Sequence, residues 1–228
     1  PMTTNSAVWD RTSSGGYGEL SRNAFAALVS FWTVAGLALS AFVAHYTPAS
    51  LAQEHPWALA LGCLVSGFVG IVVAKSDNPV LSLIGYALIA GPFGALLGST
   101  AAAYTTASLV KVIAITGGVT VVTGTIGAVI PESLEHWGGW LFSGLLVLLF
   151  GSLFVPIAGF FGLPVRGALT ALDWVGVILF SAYIVYDLNR AMRVERTHDN
   201  AIDCAIHIYL DVVNLFVRLL DLLGVVKK

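Results

Sequence analysis

Two aspartates stand where aspartates are costly. Asp187 lies in Ala182-Tyr183-Ile184-Val185-Tyr186-Asp187-Leu188-Asn189, and Asp211 lies in His207-Ile208-Tyr209-Leu210-Asp211-Val212-Val213-Asn214-Leu215-Phe216. An acidic group at the centre of a membrane helix costs roughly 2.5–3.5 kcal/mol on insertion scales, so it faces protein or water and marks function. Two carboxylates close together in low dielectric do not both ionise cheaply, and the pair tends to share a proton. That chemistry suits a pH-dependent latch or a cation site. It also suits an inert arrangement, with Asp211 paired to Arg218 or Asp187 to Arg190 as structural ion pairs.

The second aspartate belongs to a stripe. His207, Asp211, Asn214, Arg218 and Asp221 recur at helical spacing, backed by Ile208, Val212, Leu215 and Leu219. One helical face is therefore polar and the rest apolar. In a chain this apolar the seam turns toward protein; the competing reading is an interfacial helix lying on the membrane, though a lysine-rich polar face is missing. Arg218 is two turns from Asp211, roughly 10 Å along the axis, and either snorkels or meets Asp187. His207, one turn from Asp211, reads as a proton-responsive group or as a satisfied polar residue. Tyr183, one turn from Asp187, is placed to donate a hydrogen bond to the same site.

The elements that must position these residues follow from composition. Of 228 residues, 57% are hydrophobic and 11% charged, with a net charge of -2. A soluble domain carries about 25% charged residues, so this chain lacks a soluble coat and reads as an all-α integral membrane protein. The near-neutral charge gives no reason to expect nucleic acid as a partner. Cys63 and Cys204 form no disulfide framework and no metal spacing.

Seven apolar stretches approach the roughly 20 residues that a span needs: Ala24–Tyr46, Trp57–Lys75, Pro79–Ser99, Ala107–Ile130, Trp137–Phe160, Leu172–Met192 and Ala201–Leu223. The breaks carry loop chemistry, as in Thr47-Pro48, Asp77-Asn78-Pro79, Pro131-Glu132, Leu163-Pro164 and the polar run from Arg193 to Asn200. No segment alternates with the period of a barrel strand. The organisation is thus a mobile cytoplasmic tail over 1–23, a seven-helix transmembrane domain over 24–223 and a short C-terminal tail over 224–228. Pro1, ahead of Met2, reads as a remnant.

Small residues four apart, Ala58, Gly62, Ser66 and Gly70 in the second span and Thr116, Thr120, Gly124 and Ala128 in the fourth, predict close helix packing. Pro92 and Pro156 predict kinks, for gating or for packing. Asp187 and Asp211 are equidistant from residue 199, so an antiparallel hairpin brings them to similar depth, on the order of 12–15 Å from the turn. Arg11, Arg22, Lys75, Arg190, Arg193 and Arg196 outnumber Lys111, Arg166, Lys227 and Lys228 on the other side, which places the N-terminus in the cytoplasm.

Tyr183-Ile184-Val185-Tyr186-Asp187-Leu188-Asn189 followed by Ile208-Tyr209-Leu210-Asp211-Val212-Val213-Asn214-Leu215-Phe216 resembles the C-terminal signature of the Bax inhibitor-1 family. The resemblance implies a seven-helix membrane protein with its last helix central. It also implies a pH-sensitive passive calcium leak in a bacterial inner membrane, whereas eukaryotic relatives protect against cell death and lower stored calcium. In that picture Asp187 and Asp211 hold a proton-dependent bond, and loss of the proton favours calcium passage. Calcium is a transported ion, held transiently by those two residues, and no cofactor is implied. The resemblance further assigns a supporting role to a basic residue at the cytoplasmic end of the second helix, where Lys75 stands.

Other functions compete. A non-conducting regulator that binds another membrane protein, such as a membrane protease, is the alternative. An intramembrane aspartyl protease matches Tyr186-Asp187, but its second motif needs Gly-x-Gly-Asp where Ile208-Tyr209-Leu210-Asp211 stands. A retinal protein needs a lysine in its last helix, and Ala201–Gly224 has none. Glu132-Ser133-Leu134-Glu135-His136 superficially resembles an inverted zinc motif with Glu in place of its first His, and reads better as a membrane-interface loop beside Trp137 and Trp140. His45 and His55 lack metal-ligand spacing. The expectation is a transport protein, not an enzyme.

Overall fold

The computed structural model describes residues 19–48 and 50–227. Its elements in chain order are α1 (Arg22–Tyr46), the short α2 (Ser50–Glu54), α3 (Pro56–Ala74), α4 (Pro79–Ala101), α5 (Thr106–Val129), a 3-10 turn (Glu135–Trp137), α6 (Gly138–Phe160), α7 (Arg166–Ala191) and α8 (His198–Leu223). No strand occurs among the described residues. Helix starts follow capping chemistry. Ser21 and Asn78 accept hydrogen bonds from Ala24 and Val80 backbone N–H groups at 3.2 and 2.9 Å, and Pro79 opens α4. Thr197 does the same for Asn200 at 3.1 Å.

Six helices, α1, α3, α4, α5, α6 with its preceding turn, and α7, are long and apolar enough to cross a membrane. This corrects the expectation that composition alone marks seven spans. The last helix is long enough at 26 residues, about 39 Å. It carries Asp199, Asp203, Asp211, Arg218 and Asp221, which set its composition apart from the six apolar helices. The sixth expected span also starts earlier than hydropathy suggests, at Arg166 instead of Leu172, because its first turn is polar.

The chain divides into two compact units, one formed by the chain through Ala103 with Ala191–Tyr209, the other by Tyr104–Arg190 with Leu210–Lys228. In the first, glycines bring backbones together. A Cβ at Gly70 would lie 2.6 Å from the Gly85 carbonyl, so α3 and α4 touch main chain to main chain there. Gly62, on the same expected stripe, has open space around it. Pro92, which lacks an N–H, leaves the Leu88 carbonyl without its helical donor, and Ser66 of α3 donates to that carbonyl at 2.7 Å. Ser40 of α1 donates to the Ala90 carbonyl at 2.8 Å and is 2.7 Å from the Tyr209 hydroxyl. At the start of α8, Ser82 donates to Asp199 at 2.7 Å.

The expected tail over 1–23 lies mostly outside the described residues. Its last part is held: the Arg196 Nε donates to Glu19 at 3.0 Å, and Leu20 N–H donates to the Arg196 carbonyl at 2.8 Å.

In the second unit, α5 meets α7 where a Cβ at Gly127 would collide with the Val185 carbonyl, and Gly124 faces Ile184 and Leu188. The C-terminal residues are tied back: Thr105 N–H donates to the Val225 carbonyl at 2.8 Å, and Tyr104 and Val226 form an antiparallel bridge.

Candidate functional site

The second unit brings Asp187 and Asp211 together. Helices α7 and α8 run antiparallel past each other in a register marked by Asp187 beside Asp211 and by Gly176 beside Arg218. The aspartates are 6% and 7% exposed, and their carboxyl groups share a hydrogen bond. Such a contact attracts only while one carboxyl keeps its O–H; two carboxylates would repel. The Asp211 Oδ2 is buried and receives no hydrogen bond from an N–H or hydroxyl donor among the described residues. The Thr120 hydroxyl of α5 is in the same condition. It lies on the face of α5 that carries Gly124 and Gly127, one turn from Gly124. Buried oxygens left unpaired cost about 1–3 kcal/mol each, so they are seldom kept without a use.

Tyr183 lies within electrostatic reach of both carboxyl groups. Its ring is edge-on to Tyr186 at 6.5 Å and stacked on Phe180 at 6.3 Å. The Tyr186 hydroxyl accepts from Arg190 at 2.7 Å and sits over Gly138, where a Cβ would come within 2.7 Å of it.

The remaining expected residues are placed differently. Asn214 donates to its own helix, to the Leu210 carbonyl at 2.8 Å. The expectation that Arg218 meets Asp187 or Asp211 is corrected: its guanidinium bonds Asp173 of α7 at 3.0 Å and Ser152 of α6 at 2.9 Å. Geometry decides this, because the stem crosses Gly176 and the guanidinium reaches Asp173, both nearer the start of α7 than Asp187 is. Lys75 is exposed at the C-cap of α3, and His207 is half-buried; both belong to the first unit.

Sequence reasoning passed over Asn189. It is fully buried, and its amide Nδ2 donates to the Gly127, Ile130 and Glu132 carbonyls at 3.1–3.2 Å while its Oδ1 accepts from Leu134 N–H at 3.1 Å. One side chain thus satisfies the whole turn between α5 and α6, two residues from Asp187. An asparagine amid apolar residues was the available signal. The loop read as a weak zinc motif holds exposed Glu132 and His136, and no group of three or more metal-binding side chains gathers among the described residues.

The family model described as inhibitor of apoptosis-promoting Bax1 matches residues 21–228. The chain belongs to the Bax inhibitor-1 family. Among its relatives, the inner membrane protein YbhL of Escherichia coli is 26% identical over 217 residues, covering 88% of this chain and 91% of that protein. Bax inhibitor 1 of Schizosaccharomyces pombe is 26% identical over 212 residues, 91% of this chain and 76% of the yeast protein. A Deinococcus radiodurans protein is 30% identical over 225 residues, 87% and 89% of the two chains. The Bax inhibitor-1 match spans every helix described above, including α8 with its charges. The chain is therefore an integral membrane protein in which a charged last helix accompanies six apolar ones.

Proposed function

We propose that the protein is a pH-sensitive passive cation leak, with calcium as the transported ion, latched by the Asp187–Asp211 pair. The observation that carries this reading is the buried carboxyl–carboxyl hydrogen bond between α7 and α8. A proton on the pair holds the two helices together. Its loss puts two negative charges side by side in low dielectric, pushing the helices apart and creating a cation-attracting site. Two carboxylates and a nearby hydroxyl fall short of the roughly six to eight oxygens of a resident calcium site, which suits an ion in transit. Tyr183 supports the latch from one turn away, within electrostatic reach of both carboxyl groups. Calcium itself comes from the family resemblance.

The same proposal makes α8 the seventh span, enclosed by the other helices, with the N-terminus in the cytoplasm. Burial of Ala201 to Ile206, Ile208, Tyr209 and Asp211 to Val213 supports enclosure, since residues facing lipid would be exposed. Lys75, His207 and Asn214 are left as supporting candidates. The bacterial inner membrane is the proposed location, as for the relative in Escherichia coli named an inner membrane protein.

The test is calcium flux into liposomes containing the purified chain. Flux rises with pH in the wild type, and Asp187→Asn and Asp211→Asn each change both the flux and its pH dependence. Unchanged flux in both variants overturns the latch. No flux under any condition, together with co-purification of a membrane protein, favours the non-conducting regulator instead.

A further inference from the structure

Beyond the aspartate pair, the polar stripe of α8 continues to Arg218, two turns further along and about 10 Å away. The stem of Arg218 lies across the bare backbone of Gly176 on α7: a Cβ there would come within 2.8 Å of its Cγ, 2.9 Å of its Cδ and 3.1 Å of its Nε. Two further helix positions fix the guanidinium, Asp173 of α7 at 3.0 Å and Ser152 of α6 at 2.9 Å. Its side chain is 20% exposed and that of Asp173 13%, so this is a half-buried pair. Arg218 therefore occupies the α7–α8 seam between Asp211 and the end of the helix, held in one place from α6 and α7.

We propose that Arg218 is a fixed cationic barrier on the ion path and that the Asp173–Arg218 pair sets how fast cations pass. This rests on the cation-leak reading. An ion following the polar stripe away from Asp211 must pass the guanidinium, and a positive charge in a low-dielectric passage repels cations strongly. Asp173 offsets that charge while it holds the arginine still. The pair is close to neutral, so removing either member leaves a full charge of known sign. The other charged group near the pair is Asp221, exposed on the last turn of α8 and hydrogen-bonded to Tyr104 at 3.0 Å. A plain structural ion pair has no such signed consequence for flux.

The experiment measures calcium flux per reconstituted molecule in liposomes for the full chain and four variants. Arg218→Gln leaves Asp173 uncompensated and raises flux on the order of tenfold, the lower end of charge effects on ion access. Asp173→Asn leaves Arg218 uncompensated and lowers it comparably. The double variant falls between the two, and Arg218→Lys changes flux less than Arg218→Gln. Helix content and elution volume confirm folding, and the double variant and Arg218→Lys keep the test decisive if a single variant misfolds. A wild-type leak that both Gln and Asn variants leave unchanged, or move in the same direction, overturns the barrier while the leak stands. Absence of flux in wild type and Arg218→Gln alike at every pH overturns the leak reading itself.

Discussion

At the scale of single residues, the two aspartates were legible in sequence because their type conflicts with their surroundings. Their partners were not. Arg218 binds Asp173, 45 residues away in sequence, and spacing along α8 says nothing about which residue of α7 faces it. Asn189 was equally silent, since a lone amide in an apolar helix does not reveal which loop it serves. Its role gives a sharp expectation. Asn189→Leu removes the hydrogen bonds that Asn189 makes to the Gly127, Ile130 and Glu132 carbonyls and to the Leu134 N–H. It should cost about 2–3 kcal/mol, because several buried and part-buried backbone groups then lose a hydrogen bond. Thermal unfolding in detergent reads this as a lowered midpoint. Tyr104 offers a second check. Burial, and next to it the negative charge of Asp221, push its hydroxyl from 10.0 up to about 12. The neutral phenol is favoured in the folded chain, so its contribution is complete below about pH 10 and is lost as pH rises toward 12. Tyrosinate absorbance of the folded protein should lose one of its late-titrating tyrosines in Tyr104→Phe.

At the scale of elements, hydropathy located α1, α3, α4, α5 and α6 to within a few residues. It started α7 too late because Arg166, Gly167 and Thr170 dilute the apolar pattern of its first turns. It also gave no single answer for α8, which has a spanning length and a polar seam at once. The small-residue stripes were correct in kind but not residue by residue: Gly70 and Ser66 touch α4, while Gly62 touches nothing. At Pro92 packing makes up for the missing donor, with Ser66 bonding the Leu88 carbonyl. Ser66→Ala should therefore cost about 1 kcal/mol by orphaning the Leu88 carbonyl. Gly127→Ala should cost more, about 1–3 kcal/mol, because its methyl collides with main chain that cannot rotate away. Denaturant or thermal titration of the detergent-solubilised protein ranks the two.

At the scale of the whole molecule, scarce charge first excluded a soluble protein, and the placement of the few charges then separated α8 from the six apolar helices. A chain of this composition has no energetic reason to keep two carboxyl groups buried against each other unless their protonation matters. The account stands or falls on that pair. The most direct test is calcium flux into liposomes between about pH 5 and pH 8 for the wild type and Asp211→Asn. The latch predicts flux that climbs with pH in the wild type and a profile in Asp211→Asn that no longer does. A wild-type leak whose pH profile is the same with Asp211→Asn would contradict it.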